Sequence, residues 1–167
     1  MKDIKNLIID LEKFTDDPSK NLPDDLFYFI GRMTPYINVD LLIKCPKRGV
    51  LLTWRDDKYS GKGWHIPGGI IRFREEIKKR ILEVGFQELN FKIFDFNGPL
   101  AVNEIIINDQ VDRSHFISLL YECEIEKGEM DKLVTNCDED PNKSFFQTKP
   151  DNLLSWHEIY KDFFNEY

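Results

Sequence analysis

The chain has few cysteines, no long apolar run and no excess of positive charge. Each of these features limits the classes of protein to which the chain can belong. Its three cysteines, Cys45, Cys123 and Cys137, are odd in number and form no CxxC pair. We therefore expect reduced thiols, which are typical of a cytoplasmic protein. The apolar run at 7–9 is too short for a signal peptide. No segment approaches the apolar length that spans a bilayer.

The shortage of basic residues argues against polyanionic partners. The sequence has 23 Lys and Arg against 30 Asp and Glu, a formal net charge of −7. Such a chain is repelled by a nucleic-acid backbone and by an anionic membrane, so we expect neither as the main partner. A nucleotide is still allowed, because a bound divalent cation can offset phosphate charge locally.

The chain does contain enough apolar material for one folded domain. Of its 167 residues, 41% are hydrophobic and 13% are aromatic, which is typical of a globular protein. A chain of this length can form a core without disulfide or metal staples. We predict a single domain over 1–167, with a helical extension over 1–22 and an acidic loop over 126–146.

Apolar residues at helical spacing predict three helices outside the centre of the chain. The first spans 5–14, and the last spans 152–164. The second begins at Pro23, where Asp24 and Asp25 suit the positive end of the helix dipole. Apolar stripes of this kind usually face a core.

Runs rich in β-branched and aromatic residues predict five strands. They span 36–43, 49–55, 91–96, 100–107 and 115–125. Strands flanked by helices, without regular alternation, predict an α+β sandwich built on a mixed sheet.

The centre of the chain combines the end of a strand, two glycines and a helix. Pro67 ends a strand that contains Trp64, because proline lacks a donor for the ladder. Gly68 and Gly69 allow the backbone to approach a ligand closely. A helical pattern follows over 75–89. This order can present a backbone carbonyl and helix carboxylates to one bound cation.

This central stretch resembles the Nudix box, whose pattern is G-x5-E-x7-R-E-U-x-E-E-x-G-U, with U an aliphatic residue. With Gly69 in the first position, Glu75 and Glu88 match carboxylates of the pattern. The arginine of the pattern falls on Glu83, and the glutamate after it falls on Val84. Because Glu83 reverses the charge, we expect the salt bridge of that arginine to be lost.

The flanking sequence resembles a degenerate branch of that superfamily, the GDP-mannose mannosyl hydrolases. Members of the branch carry a Thr-Pro pair followed by a strand with an aspartate, matched here at 34–35 and by Asp40. A strand with a basic end follows, matched by Arg55, and then a W-x-x-P-G-G segment, matched at 64–69. The resemblance covers roughly 22–125.

The resemblance implies a Nudix α/β/α sandwich and Mg²⁺-dependent hydrolysis of a nucleoside diphosphate sugar, GDP-mannose or a relative. The products would be GDP and the free sugar. It also implies a homodimer, with the N-terminal part contributing to the dimer and the nucleotide pocket. The metal would be held by the Gly69 carbonyl and Glu88, with Gln87 as a weaker candidate and substrate phosphates as further ligands.

The same resemblance gives roles to residues that also have plainer interpretations. Arg55 aligns with an arginine that assists departure of GDP, and its fork suits a diphosphate. Asp40 and His115 align with strand residues of the branch and are expected to contact the substrate. Phe27 or Tyr28 is expected to stack on the base. Arg72, beside the glycine pair, is expected to meet phosphate, although the arginine of the branch falls on Ile70. The plainer interpretations are an exposed strand face, a surface charge and core packing.

The general base is the least determined part of the predicted site. The mannosyl hydrolases use a histidine on a loop before the last helix, but no histidine lies between His115 and His157. The acidic segment offers several carboxylates instead, and we take Asp140 as the candidate base. His65 and His157 are expected to be structural.

Two other functions fit these residues. The missing arginine, glutamate and loop histidine favour a Nudix-fold module that binds a nucleotide sugar without catalysis. A carboxylate base in the acidic segment favours instead a pyrophosphohydrolase that attacks phosphorus.

Overall fold

The computed structural model describes residues 3–164. The helices are α1 (Ile4–Glu12), α2 (Asp24–Gly31), α3 (Ile77–Val84) and α4 (Lys127–Glu139), with a π-helical turn at Gly85–Leu89 and a C-terminal 3-10 helix at Ser155–Phe164. The strands are β1 (Tyr36–Cys45), β2 (Gly49–Asp57), β3 (Gly61–His65), β4 (Gly68–Ile70), β5 (Ile93–Ile106), β6 (His115–Ile125) and β7 (Lys143–Phe146). Within 3–164, no helix is both long and apolar enough to cross a membrane.

The strands form one mixed sheet. Its order is β3-β2-β1-β6-β5, with β4 paired to β1 and β7 paired to β2. β1 and β6 are parallel, and the other pairs are antiparallel. A parallel pair needs a crossover connection, and the connection between β1 and β6 contains α3.

Both faces of the sheet are covered, so the predicted α+β sandwich on a mixed sheet is confirmed. Successive residues of β1 face opposite sides, as the pleat requires. Val39 and Leu41 pack with Ile81 of α3 in one core. Leu42 packs with Tyr160 of the C-terminal 3-10 helix in the other. Each fully buried aliphatic side chain of these cores contributes about 1.5–3 kcal/mol to stability.

The segment at 126–146 is not the acidic loop that its composition suggested. It forms α4 and β7, and β7 pairs with β2. Leu133 and Cys137 of α4 are buried four residues apart, which places them on one helix face. The acidic residues occupy the exposed faces of α4. Their number made the segment look like a loop, although its few apolar residues have helical spacing.

Two other boundaries differ from the prediction. The strands predicted at 91–96 and 100–107 form the single strand β5, and a register shift between Asn97 and Ala101 absorbs the irregular residues. The polar stretch after β2 is a hairpin turn leading into β3. The predicted strands were therefore too short, because polar residues on exposed strand faces were assigned to loops.

The helix of the Nudix-like stretch changes character before it ends. α3 passes directly into the π-helical turn, which ends at Asn90 with φ 60°. That backbone conformation is left-handed and is usually occupied by glycine, with asparagine as the common substitute. Asn90 stands where the Nudix pattern has glycine, so this departure keeps the shape of the turn.

A buried arginine lies one turn before the position where the Nudix pattern has its arginine. Arg80 donates from Nε and Nη2 to the two oxygens of Glu75, each at 2.8 Å. The two side chains are only 4% and 2% exposed. Positions 80 and 83 are three residues apart and share a helix face. The helix therefore has a buried arginine–glutamate ion pair that is supplied from position 80 and not from position 83.

Glu75 also orders the loop that follows the glycine pair. Its Oε2 accepts a hydrogen bond of 2.9 Å from the Arg72 amide. Burial raises the pKa of Glu75, but the bonds from Arg80 and the Arg72 amide bring it below the ordinary value. The ion pair thus holds the loop and the start of α3 in one arrangement.

Replacing Arg80 with methionine should lower the free energy of unfolding by about 3–5 kcal/mol, because it leaves the Glu75 carboxylate buried without its partner. Urea denaturation at pH 7 measures the loss. Lys79→Met is the matched control, since Lys79 is 64% exposed, and should change stability by less than about 0.5 kcal/mol. Equal losses in the two variants would contradict a buried supporting pair.

Candidate active site

One cleft is lined by residues of β1, β2, β4, the β5–β6 turn and the C-terminal 3-10 helix. The cleft has a volume of about 150 Å³. The polar lining residues are Asn38, Asp40, Arg55, Tyr59, Ser60, His65, Gln110, Arg113 and His157.

Gly68 and Gly69 are required by the space on each side of β4. Gly68 pairs with Asp40 on β1, and a Cβ at position 68 would lie 2.3 Å from Asp40 Oδ1. Gly69 faces the opposite side, where a Cβ would lie 2.6 Å from Val84 of α3. Asp40 therefore excludes a side chain at position 68, and α3 excludes a side chain at position 69.

Glu88 extends from the π-helical turn toward the glycine pair. Burial raises the pKa of Glu88 to about 7, and the negative charge of Asp40 adds to the rise. Arg55, the Gly68 amide and the Thr53 hydroxyl oppose it. Helical irregularities of this type are frequent at functional sites. Here the turn leaves Gln87 exposed and Glu88 half-buried beside the glycines.

Asp40 is a buried carboxylate at the base of the cleft. It is 3% exposed, so the alternative of an exposed strand face is wrong. The Tyr160 hydroxyl donates to Oδ2 at 2.5 Å, the Ser118 hydroxyl donates to the same oxygen, and Asn38 Nδ2 donates to Oδ1 at 2.8 Å. Burial raises the pKa of Asp40 to about 6, while these hydrogen bonds and Arg55 limit the rise.

Arg55 is the cation nearest to both carboxylates. Its side chain is 27% exposed, and Nε lies 3.8 Å from Asp57 Oδ2. Burial raises the pKa of Asp40 and the pKa of Glu88. The positive charge of Arg55 opposes both rises. A guanidinium between two partly charged carboxylates and open to the cleft can bind an incoming phosphate.

His65 and His157 are buried, neutral and fixed in tautomer. Burial, with a smaller effect of Arg55, lowers the pKa of His65 to about 3, and burial holds that of His157 well below its ordinary value. His65 Nδ1 donates to the Thr53 carbonyl at 2.8 Å. His157 Nδ1 accepts from the Ile66 amide at 3.3 Å, which places its proton on Nε2. These contacts fit the predicted structural roles, although both rings line the cleft.

The donor set fits a metal ion that arrives with phosphate better than a resident ion. Within 3–164, no group of three or more His, Cys, Asp and Glu side chains is arranged to hold a metal. The available oxygen ligands are the Gly69 carbonyl at the cleft and the Glu88 carboxylate beside it. Burial raises the pKa of Glu88, and the negative charge of Asp40 adds to that rise. A cation would relieve that repulsion, and Mg²⁺ commonly takes few protein ligands and several phosphate oxygens.

Two predicted site residues lie away from the cleft lining. Asp140 follows α4 and accepts from Lys143 Nζ and the Asn142 amide, each at 2.9 Å. Those bonds lower its pKa, which makes it a weaker base. Gln87 borders a separate shallow groove on the outer side of α3.

Three more predicted substrate contacts also lie outside the lining. The Phe27 ring stacks on Tyr36, with centroids 4.7 Å apart. His115 Nε2 lies 3.3 Å from Glu104 Oε1. Arg72 contributes its backbone amide to Glu75. Their roles toward a substrate stay predictions, whereas Asp40, Arg55 and Gly69 line one cleft and Glu88 lies beside it.

Sequence reasoning missed the partners of Asp40 and one end of the cleft. Ser118 and Tyr160 are 78 and 120 residues from Asp40 in sequence, and no local pattern links them. Tyr59 and Arg113 come from turns between strands, where no residue pattern indicated that a cleft would form.

The fold is that of the Nudix hydrolases. The chain is similar in structure to a MutT Nudix hydrolase from Burkholderia pseudomallei, with a TM-score of 0.57 and 15% identity over 77% of this chain and 97% of that one. It is also similar to a MutT protein from Methanosarcina mazei Go1, with a TM-score of 0.53 and 17% identity over 78% and 91% of the two chains. A comparison with models of known protein families finds no match.

A curated protein resembles the chain in sequence. The low-salt glycan biosynthesis protein Agl8 of Haloferax volcanii is 24% identical over 120 residues. The aligned part covers 70% of this chain and 76% of that protein. The likeness therefore extends over most of both chains.

Tyr160→Phe should cost more stability at pH 8 than at pH 5. Since burial raises the pKa of Asp40 from 3.8 to about 6, ionising Asp40 in the fold costs stability as the pH rises through that interval. The Tyr160 hydroxyl limits the cost by stabilising the carboxylate. Its loss should therefore cost about 1.5–3 kcal/mol at pH 8 and less at pH 5, measured by urea denaturation at both values.

Tyr121→Phe is the matched control for that variant. Tyr121 is 5% exposed, and within 3–164 its hydroxyl has no hydrogen-bond partner. The free energy lost in this variant should be small and the same at pH 5 and pH 8. A pH-independent loss in Tyr160→Phe would contradict the hydrogen bond to an ionising Asp40.

Proposed function

We propose that this protein hydrolyses a nucleoside diphosphate sugar, GDP-mannose or a relative, with Mg²⁺, releasing the nucleoside diphosphate and the free sugar. The observation that carries the proposal is the convergence of Glu88, Arg55 and the Gly68-Gly69 pair at one cleft. The Nudix fold is consistent with a hydrolase of diphosphates, and the likeness to a glycan biosynthesis protein supports a sugar substrate.

Glu88 and Arg55 would bind the diphosphate group together. Glu88 and the Gly69 carbonyl are the residues that would hold Mg²⁺, with phosphate oxygens as its other ligands. When bound, the ion offsets the charge that develops on the departing diphosphate. Arg55 donates charge-assisted hydrogen bonds to the same group, since its fork matches two phosphate oxygens.

Asp40 is better placed than Asp140 to accept the proton of the attacking water. It lines the cleft, and burial raises its pKa to about 6, close to the range in which a base works at neutral pH. The water oxygen forms a bond to the anomeric carbon, and the bond from that carbon to the diphosphate oxygen breaks. The electron pair leaves with the diphosphate, and the proton passes to Asp40.

Glu88→Gln should lower the rate of sugar release by about 100-fold or more, because even the loss of a residue that only supports a metal ligand costs 10–100-fold. The measurement is steady-state release of free sugar from a panel of nucleotide sugars at saturating Mg²⁺. A wild-type protein that releases neither sugar nor nucleotide from the panel would contradict the proposed function.

Gln87→Ala serves as the control, because Gln87 is adjacent in sequence and exposed. It should retain the wild-type rate and the wild-type dependence on Mg²⁺ concentration. A loss equal to that of Glu88→Gln would instead support the metal-binding role first predicted for Gln87.

A binding module without catalysis is the second candidate. It is favoured by the lack, within 3–164, of any three-residue metal-binding group. Such a module would bind the nucleotide sugar equally well with Mg²⁺ and with chelator, and Glu88→Gln would leave the affinity unchanged.

Attack at phosphorus is the remaining form of hydrolysis for a Nudix fold. Turnover in ¹⁸O-labelled water separates the two reactions. Our proposal predicts the label in the released sugar, because water bonds to the anomeric carbon. Label in the phosphate product would identify the protein as a pyrophosphohydrolase.

A further inference from the structure

The cleft contains a second arginine that the proposed chemistry does not use. Arg113 lies in the turn between β5 and β6, is half-buried, and lines the same cleft as Arg55. Its neighbour Asp112 pairs with Arg32, the residue directly after α2, at 2.5 Å. Within 3–164, no carboxylate forms an ion pair with Arg113. A positive side chain is therefore held at the cleft without a carboxylate in salt-bridge contact, and its charge acts on Asp57 only at longer range.

The turn that carries Arg113 is fixed by contacts on both sides. Gln110 Nε2 donates to the Tyr59 carbonyl at 2.5 Å, and the Asp112 pair ties the turn to α2. The Arg113 guanidinium lies over the Tyr59 ring, 5.8 Å from its centroid. Arg113 itself has φ 54°, a left-handed conformation that a residue other than glycine keeps only when its surroundings impose it.

The residues around Arg55 and Arg113 show which end of the cleft each arginine occupies. Burial raises the pKa of Glu88 and of Asp40, and the charge of Arg55 lowers the pKa of each carboxyl group. Burial also raises the pKa of Asp57, but two backbone amides, Arg55 and Arg113 together bring it below its ordinary value. Along β2, Arg55 comes two residues after Thr53, whose hydroxyl bonds Glu88, whereas Arg113 lies over Tyr59 in the turn beyond the strand. Arg113 is therefore at the Tyr59 end of the cleft, and Arg55 is nearer the Glu88 end.

The Tyr59 end of the cleft suits an anion better than a nucleobase. The Tyr59 ring is already in contact with Tyr28, whose centroid is 5.2 Å away, and with Lys58 Nζ, 4.7 Å away. With Arg113 over the ring as well, little of the Tyr59 surface is left for stacking. The guanidinium, in contrast, has no protein anion bound to its donors, and a guanidinium is well matched to phosphate oxygens.

We propose that Arg113 binds the phosphate that lies farther from Glu88, so that the cleft selects a diphosphate over a single phosphate. The inference rests on the proposed function in taking a diphosphate as the group bound. Arg55 and Glu88 serve the inner phosphate, and Arg113 serves the outer one. Arg113 is therefore a specificity-determining residue.

The test is calorimetric titration of pyrophosphate and of orthophosphate, with Mg²⁺, into the wild-type protein and Arg113→Asn. Asparagine tolerates the left-handed conformation, so this variant removes the charge without adding strain. We expect the Kd for pyrophosphate to rise by about 10- to 100-fold, as for loss of hydrogen bonds to a charged group. Orthophosphate affinity should be little changed, and Arg113→Lys should be intermediate.

Arg74→Asn is the matched control. Arg74 also has a left-handed φ, 56°, and its guanidinium lies 5.0 Å from the centroid of the Phe73 ring, but it does not line the cleft. Its loss should leave pyrophosphate affinity unchanged, with thermal melting showing that both variants are folded. Equal weakening in the two variants, or a wild-type protein that does not prefer pyrophosphate, overturns the inference.

Failure of the inference can be told apart from failure of the proposed function. If the wild-type protein releases sugar from a nucleotide sugar and Arg113→Asn binds pyrophosphate normally, only the outer phosphate site is wrong. If no sugar is released but pyrophosphate binding depends on Arg113, the hydrolysis is wrong and the diphosphate site stands.

Discussion

The close approach of β4 to its neighbours is the constraint on which the cleft depends. Side chains are excluded on both sides of the strand, because Asp40 occupies one side and Val84 of α3 occupies the other. Only a glycine pair lets β4 pair with β1 beside Asp40 and pack against α3 at the same time. That position brings the Gly68 amide next to Glu88, and the buried pair of Arg80 with Glu75 keeps the loop after β4 in place.

The second feature of the cleft is a concentration of buried charge around Arg55. Two carboxylates, Asp40 and Glu88, are held where burial raises their pKa, and a single guanidinium balances them. Leaving charge buried and partly compensated costs stability, and such clusters are typical of functional sites. A phosphate group carrying a divalent cation would supply a further anion to Arg55 and a further cation to the carboxylates.

The sequence was sufficient for the parts of the fold and site that depend on local pattern. The strand, glycine pair and helix were predicted from residues close together in the chain, and so was the proximity of the glycine pair to Glu88. The Arg80 pair was missed because a fixed spacing was applied to a helix on which a residue one turn earlier reaches the same point. The bonds of Ser118 and Tyr160 to Asp40 were missed because only tertiary packing brings these residues together.

The most direct test of the central claim is calorimetric titration of GDP-mannose into the protein, first with Mg²⁺ and then with chelator. The claim is that Glu88 and substrate phosphate share one cation at the glycine pair. It predicts binding that requires Mg²⁺, followed by a slow heat of turnover in the same cell. Equal binding with chelator and no heat of turnover would contradict it and identify a nucleotide-sugar sensor on a hydrolase fold.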